Sequence, residues 1–144
     1  MNKPLILVVE DDPPVRNLIT TTLKTNNYRY LAAANGEAAI MEASSHNPDI
    51  VLLDEPTSFL DLPNRYELCS LLRRLAHEEG KCILFSTHEL DIALSLCDAV
   101  ALIDPPRLHC LPTDEMIRSG RIERLFGRSA VRFDAATGTV KIVR

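Results

Sequence analysis

The sequence predicts a doubly wound α/β/α sandwich around a parallel sheet. Three observations carry this. Leu5–Val9 (LILVV) is apolar at every position, as in a strand covered by helices on both faces. Strand-like runs and helical patterns then alternate strictly as far as Ile103, five strands to four helices. Finally, the junctions carry capping residues, prolines or glycine where such elements start and stop. At 144 residues the chain can bury a core without disulfides or structural metals.

The elements follow in order. After Leu5–Val9 come Glu10, Asp11 and Asp12, and Asp12-Pro13 has the form of an N-cap with proline in the first turn. Val15, Leu18, Ile19 and Leu23 mark one face of the first helix, which ends at Asn26-Asn27. Tyr28–Ala33 is the second strand. Asn35 caps a second helix with Ala38, Ala39, Ile40 and Ala43 apolar, stopped by Asn47-Pro48-Asp49. Ile50–Leu53 is the third strand and delivers Asp54 and Glu55 to its end. A helix follows from about Pro63 to Glu79, with Leu68, Leu71, Leu72 and Leu75 on one face and Gly80 beyond its end. Cys82–Phe85 is the fourth strand. Ser86 and Glu89 have the spacing of a capping box for a short helix to Cys97, and Ala99–Ile103 is the fifth strand, closed by Asp104-Pro105-Pro106. The pattern then changes to a short extended piece, a helix over Thr113–Phe126 broken at Gly120, and a hairpin of Val131–Asp134 with Thr139–Val143. We therefore expect one α/β domain over 1–106 and a small helix-and-hairpin extension over 107–144 packed on it.

The formal net charge of −4 argues against a nucleic-acid binder. The charge is uneven: residues 1–106 carry 8 Lys/Arg against 16 Asp/Glu, and residues 107–144 carry 8 against 4. A basic tail is suited to docking a partner or an acidic surface, and reads also as a complement to the acidic body of its own chain. Cys69, Cys82, Cys97 and Cys110 form no CxxC pair, and Cys69, Cys82 and Cys97, in apolar runs, read as reduced core residues of a cytoplasmic protein. No signal peptide or membrane span is evident, since Leu5–Val9 is too short to cross a bilayer.

Two resemblances meet at the third strand. Residues 4–54 carry ILVVEDD, VRNLITTTL, NGEAAI and PDIVLLD in order, and resemble the first half of the receiver domain of bacterial response regulators. That resemblance implies a flavodoxin-like fold with strand order 2-1-3-4-5. It also implies Mg²⁺ coordination through Glu10 and Asp11, and phosphorylation of Asp54. Residues 51–104 carry VLLDEPTSFLD and STHELDIALSLCDAVALI, and resemble the later part of an ATP-binding-cassette (ABC) transporter ATPase. By that resemblance Asp54 is the Walker B Mg²⁺ ligand and Glu55 the base for water, Asp61 lies in the D-loop and His88 faces a γ-phosphate. IERLFG and VRFDAATGTVKI resemble the end of importer-type cassette ATPases more weakly. The chain reads as a chimera, receiver-like over 1–54 and cassette-like from 55, sharing only Ile50–Asp54. Both laboratory construction and natural recombination would produce it.

Each half lacks partners. There is no GxxxxGKS or GxxxxGKT to cradle phosphates, and no LSGGQ-type signature. ATP hydrolysis is therefore not expected, and Asp54, Glu55, Asp61 and His88 read as a vestigial ATPase motif. Asp61 reads equally as a helix cap, and His88 as a helix-start residue. Receivers end the fourth strand in Ser/Thr, a role open to Ser86 or Thr87. They end the fifth in Lys before Pro, where this chain has Asp104, a reversed charge. Glu10, Asp11 and Asp54 remain as a carboxylate cluster at the C-terminal edge of the sheet, where ligands of such sheets bind. Oxygen donors of that kind suit Mg²⁺. We expect an engineered scaffold with no evolved catalytic activity and, at most, weak Mg²⁺ binding by these three. A phosphoacceptor at Asp54 is the first alternative and residual nucleotide binding the second. No cofactor is required and no partner is evident. In cassette ATPases the fourth and fifth strands flank the Walker A strand, absent here, so a homodimer that fills the slot by strand exchange is a further expectation.

Overall fold

The computed structural model describes residues 3–127 and 131–142. They form two compact units, Met1–His88 and Glu89–Arg144. The units part between His88 and Glu89, whereas the sequence suggested a boundary at Pro105-Pro106.

The first unit contains β1 (Leu5–Val9), α1 (Pro13–Thr25), β2 (Arg29–Ala33), α2 (Gly36–His46), β3 (Ile50–Leu53), α3 (Leu62–Glu78) and β4 (Cys82–Phe85). Its four strands are all parallel, in the order β2-β1-β3-β4. β1 is central, and Leu5 to Val8 are buried, as its unbroken apolar sequence requires. The main-chain N–H of Leu5 donates to Asp49 Oδ2 at 2.8 Å, tying the start of β1 to the residue before β3. Cys69 and Leu72 of α3 are buried, but Leu71 stays exposed. So do Leu18 of α1 and Ile40 of α2, which the helical pattern placed on the covered faces. Of the cysteines read as core residues, the structure buries Cys69 and leaves Cys82 exposed.

The caps follow the sequence in part. Asn35 accepts from Ala38 N at 2.8 Å and Asp61 from Asn64 N at 3.2 Å, starting α2 and α3. Asp12 occupies the N-cap position of α1 without a side-chain bond. Gly80 follows α3 with φ +66°, a left-handed conformation that glycine adopts without a Cβ clash.

The expected fifth parallel strand is not part of this sheet. β5 (Ala99–Asp104) belongs to the second unit and pairs antiparallel with β6 (Arg107–Pro112), opposing Asp104 to Arg107 across the Pro105-Pro106 turn. The tight turn lets β6 satisfy the β5 ladder locally. Alternation then divides β5 into a half-buried row, Val100 and Leu102, and an exposed row that includes Ile103. Its both-face apolar sequence resembles that of a covered strand, which is why the pattern misleads. No strand is hydrogen-bonded to the outer side of β4 among the described residues.

The rest of the second unit is α4 (Leu90–Leu96), α5 (Thr113–Arg118), α6 (Arg121–Phe126), and the antiparallel pair β7 (Val131–Asp134) and β8 (Thr139–Ile142). Met116, Ile122 and Phe133 form its core, with Leu90, Leu94, Val100, Leu102, Leu111 and Phe126 packed around them. Gly120, at φ +77°, separates α5 from α6 where the sequence placed a break. Val143, expected to end the last strand, lies outside the described residues.

Candidate carboxylate site

Strand register builds the site. Val9 pairs with Leu53, and Leu53 with Phe85. The next residue on each strand, Glu10, Asp54 and Ser86, therefore emerges at one level at the C-terminal edge of the sheet. Register also brings Ala33 beside Val9, and Glu10 N donates to Ala33 O at 3.1 Å.

Glu10 is 7% exposed. Its Oε1 accepts from Asp12 N at 3.0 Å, and its main-chain carbonyl accepts from Arg16 Nη1 at 2.8 Å. Glu10 Oε2 is buried with no hydrogen-bond donor. Burial pushes the Glu10 carboxyl above its usual value; the Asp12 N–H opposes this, and the adjoining Asp11 and Asp54 side chains add to the rise. Three ionised carboxyls cannot hydrogen-bond to one another, so their juxtaposition calls for a shared proton or a cation.

Asp54 is exposed. Its Oδ1 accepts from Ser86 Oγ at 2.5 Å, and Ser86 Oγ in turn accepts from Glu55 N at 2.9 Å. Ser86 thus binds the acidic residue of β3 and does not cap α4. α4 begins at Leu90, with Glu89 at the N-cap position making no side-chain cap, so the expected capping box is not formed. The serine donates its proton to a carboxylate and spends its lone pair on the Glu55 N–H, so its oxygen is committed to the end of β3 and not to the first turn of α4. Glu55 takes the left-handed conformation, φ +43°, and its Oε1 lies 2.6 Å from His88 Nε2. Asp61 stands apart from this constellation as the cap of α3. Asp104 ends β5 in the other unit.

The structure therefore brings Glu10, Asp11, Asp54, Glu55, Ser86 and His88 to one edge, in two linked groups. The three expected cation ligands meet as carboxylate pairs that share Glu10. As placed, no three His, Cys, Asp or Glu side chains among the described residues form a group that could hold a metal ion. Their donor chemistry nonetheless fits a hard divalent cation, and Glu10 Oε2 is the orphaned buried atom such an ion would satisfy. Sequence reasoning missed Arg16, whose guanidinium braces the Glu10 carbonyl. Its position six residues on, one turn into α1, was the available signal.

A parallel α/β sheet with carboxylates gathered at the C-terminal ends of β1 and β3 defines a receiver-like protein. The sequence model of the response regulator receiver domain matches residues 6–101, and the chain belongs to that family. The chemotaxis protein CheY4 of Vibrio cholerae superposes with a TM-score of 0.52 at 17% identity, covering 82% of this chain and 96% of that one. The C-terminal part is similar to ABC transporter ATP-binding proteins. An uncharacterized member from Methanocaldococcus jannaschii is 36% identical over 97 residues, 61% of this chain and 33% of the relative. The hemin import ATP-binding protein HmuV of Vibrio anguillarum is 32% identical over 114 residues, 73% of this chain and 44% of the relative. A putative metal-chelate type ABC transporter in an inward-facing conformation superposes with a TM-score of 0.55 at 29% identity, over 62% of this chain and 36% of that one. The chain spans less than half the length of these ATP-binding relatives. This combination of two similarities is consistent with a chimera. No described helix is long and apolar enough to cross a membrane.

Proposed function

We propose that this chain is a receiver-type phosphoacceptor module, with Asp54 as the acceptor and Glu10, Asp11 and Asp54 as the residues that would hold Mg²⁺. The observation that carries the reading is the in-register convergence of Glu10, Asp54 and Ser86, with Ser86 Oγ on Asp54 Oδ1 at 2.5 Å. Asp54 is exposed, so a small phosphodonor reaches it. Mg²⁺, when bound, supplies the positive charge that lets an anionic phosphoryl group approach these carboxylates. Ser86 offers a hydroxyl to the incoming phosphoryl oxygens, and Arg16 holds the Glu10 main chain in place. With Asp104 where receivers carry lysine, the chain has no ammonium at that position, and we expect phosphorylation to be slow and strictly cation-dependent.

The second reading is a chimeric scaffold of laboratory construction, joined within Ile50–Asp54, that binds Mg²⁺ weakly and does nothing further. The charge reversal at Asp104 and the departure of β5 from the parallel sheet favour it. Incubation with acetyl phosphate and Mg²⁺, followed by intact-mass measurement, separates the two. We expect the mass of one added phosphoryl group, lost with EDTA and in Asp54→Asn; an unmodified mass under all conditions leaves the scaffold reading. The sequence supplies no phosphate cradle, so calorimetry with millimolar ATP should give no binding heat, and measurable heat would restore the nucleotide reading.

A further inference from the structure

We propose that the exposed face of the β5–β6 hairpin is the interface of a homodimer, in which two copies pack this face together about a twofold axis running across the strands. The proposal is independent of the chemistry at Asp54.

Register defines the face. Opposed residues of an antiparallel pair lie on the same side of the sheet, and sides alternate along each strand. Val100, Leu102 and Leu111 pack against the core of the second unit. The other side therefore carries three pairs, Ala99 with Pro112, Ala101 with Cys110, and Ile103 with Leu108. All six are apolar and all six are exposed, Ile103 by 71% and Leu108 by 66%. An antiparallel sheet with one face on a core ordinarily turns polar residues outward. This outward face has none, and Asp98, Asp104 and Arg107 stand only at the ends of the hairpin.

Three features select a second copy as the occupant. A twofold contact sets residues near the axis beside their own copies, so a charge there would meet its like, and this face holds no charge. The face is also bulky at one end, with Ile103 and Leu108, and slight at the other, with Ala99 and Pro112. An axis across the strands lays the bulky end of each copy on the slight end of the other. Finally, six exposed apolar residues form a patch of roughly 500 Å². Two such patches bury about 1,000 Å², the threshold of a specific interface. The axis passes by the middle pair, which brings Cys110 opposite the partner's Cys110.

Sedimentation of the full chain under reducing conditions should show a reversible monomer–dimer equilibrium, with dimer dominant by about 1 mM. Monomer throughout overturns the proposal. Ile103→Glu should weaken the dimer at least about tenfold, because it sets two carboxylates into an apolar layer. The exposure of Ile103 makes this variant neutral to folding, which circular dichroism checks; an undiminished dimer overturns the proposal. Crosslinking with a short bis-maleimide locates the contact without that variant. Cys110 marks the hairpin face, and the other exposed cysteine, Cys82, marks β4, where an exchange of strands would join the copies. We expect a covalent dimer in Cys82→Ser and none in Cys110→Ser. Crosslinking that fails in Cys82→Ser, or persists in Cys110→Ser, places the contact elsewhere and overturns the proposal.

Discussion

A carboxyl group that is 7% exposed and adjoins two others keeps its charge only against desolvation and repulsion. Glu10 therefore carries a stability cost that belongs to the site and not to the fold. Because its folded-state pKa lies above the ordinary 4.5, the folded chain holds the proton more tightly than the unfolded chain. Stability is then lost as pH rises from 4.5 through the folded-state value, and regained on acidification. Glu10→Gln removes the charge and keeps the shape. We expect it to stabilise the protein by about 1 kcal/mol at neutral pH. In urea titrations the gap between variant and wild type should narrow as pH falls toward 4.5; a gap that widens would contradict this. Asp134 illustrates the opposite sign: the Lys141 ammonium at 2.8 Å holds its carboxyl low, so that contribution is present at neutral pH and fades in acid.

At the scale of elements, what was legible depended on how local its cause was. β1 could be read from five consecutive apolar residues because burial on both faces leaves no other pattern. Asn35 and Asp61 cap their helices because a cap needs only the next turn of the same chain. Ser86 shows where this stops. The sequence offers it a helix to cap and, across the sheet, a carboxylate to bind, and only strand register decides for Asp54. The fate of β5 was hidden for a similar reason. A strand with five consecutive apolar residues suits either a covered parallel sheet or an antiparallel hairpin, and the choice lies in what its neighbours offer. The carboxylate site was readable as a set of residues, but not its division into a Glu10-centred group and a Glu55–His88 pair.

At the scale of the whole molecule, the second unit has its own buried centre, with Met116 and Ile122 fully enclosed and Phe133 beside them. That core cluster is drawn from the second unit itself, so damage to it should be felt there first. We expect Met116→Ala to cost the second unit about 3 kcal/mol, within the range for emptying a well-packed side chain. Hydrogen exchange read by mass spectrometry should then show protection lost over β5, β6 and α5 while Leu5–Val8 of β1 keeps its own. Equal loss in both would mean that the two units unfold as one.

β3 pairs with β1, from the receiver-like half, and with β4, from the cassette-like half, through parallel main-chain ladders. Those ladders take no notice of which side chains the neighbouring strand carries. Four residues thus act as a coupling with standard threads on both sides. Any receiver half that ends in the same short strand presents the same thread, and the acidic residues at the tip travel with it. Exchanging one front half for another would then vary the chemistry at the edge while the rear half stays fixed.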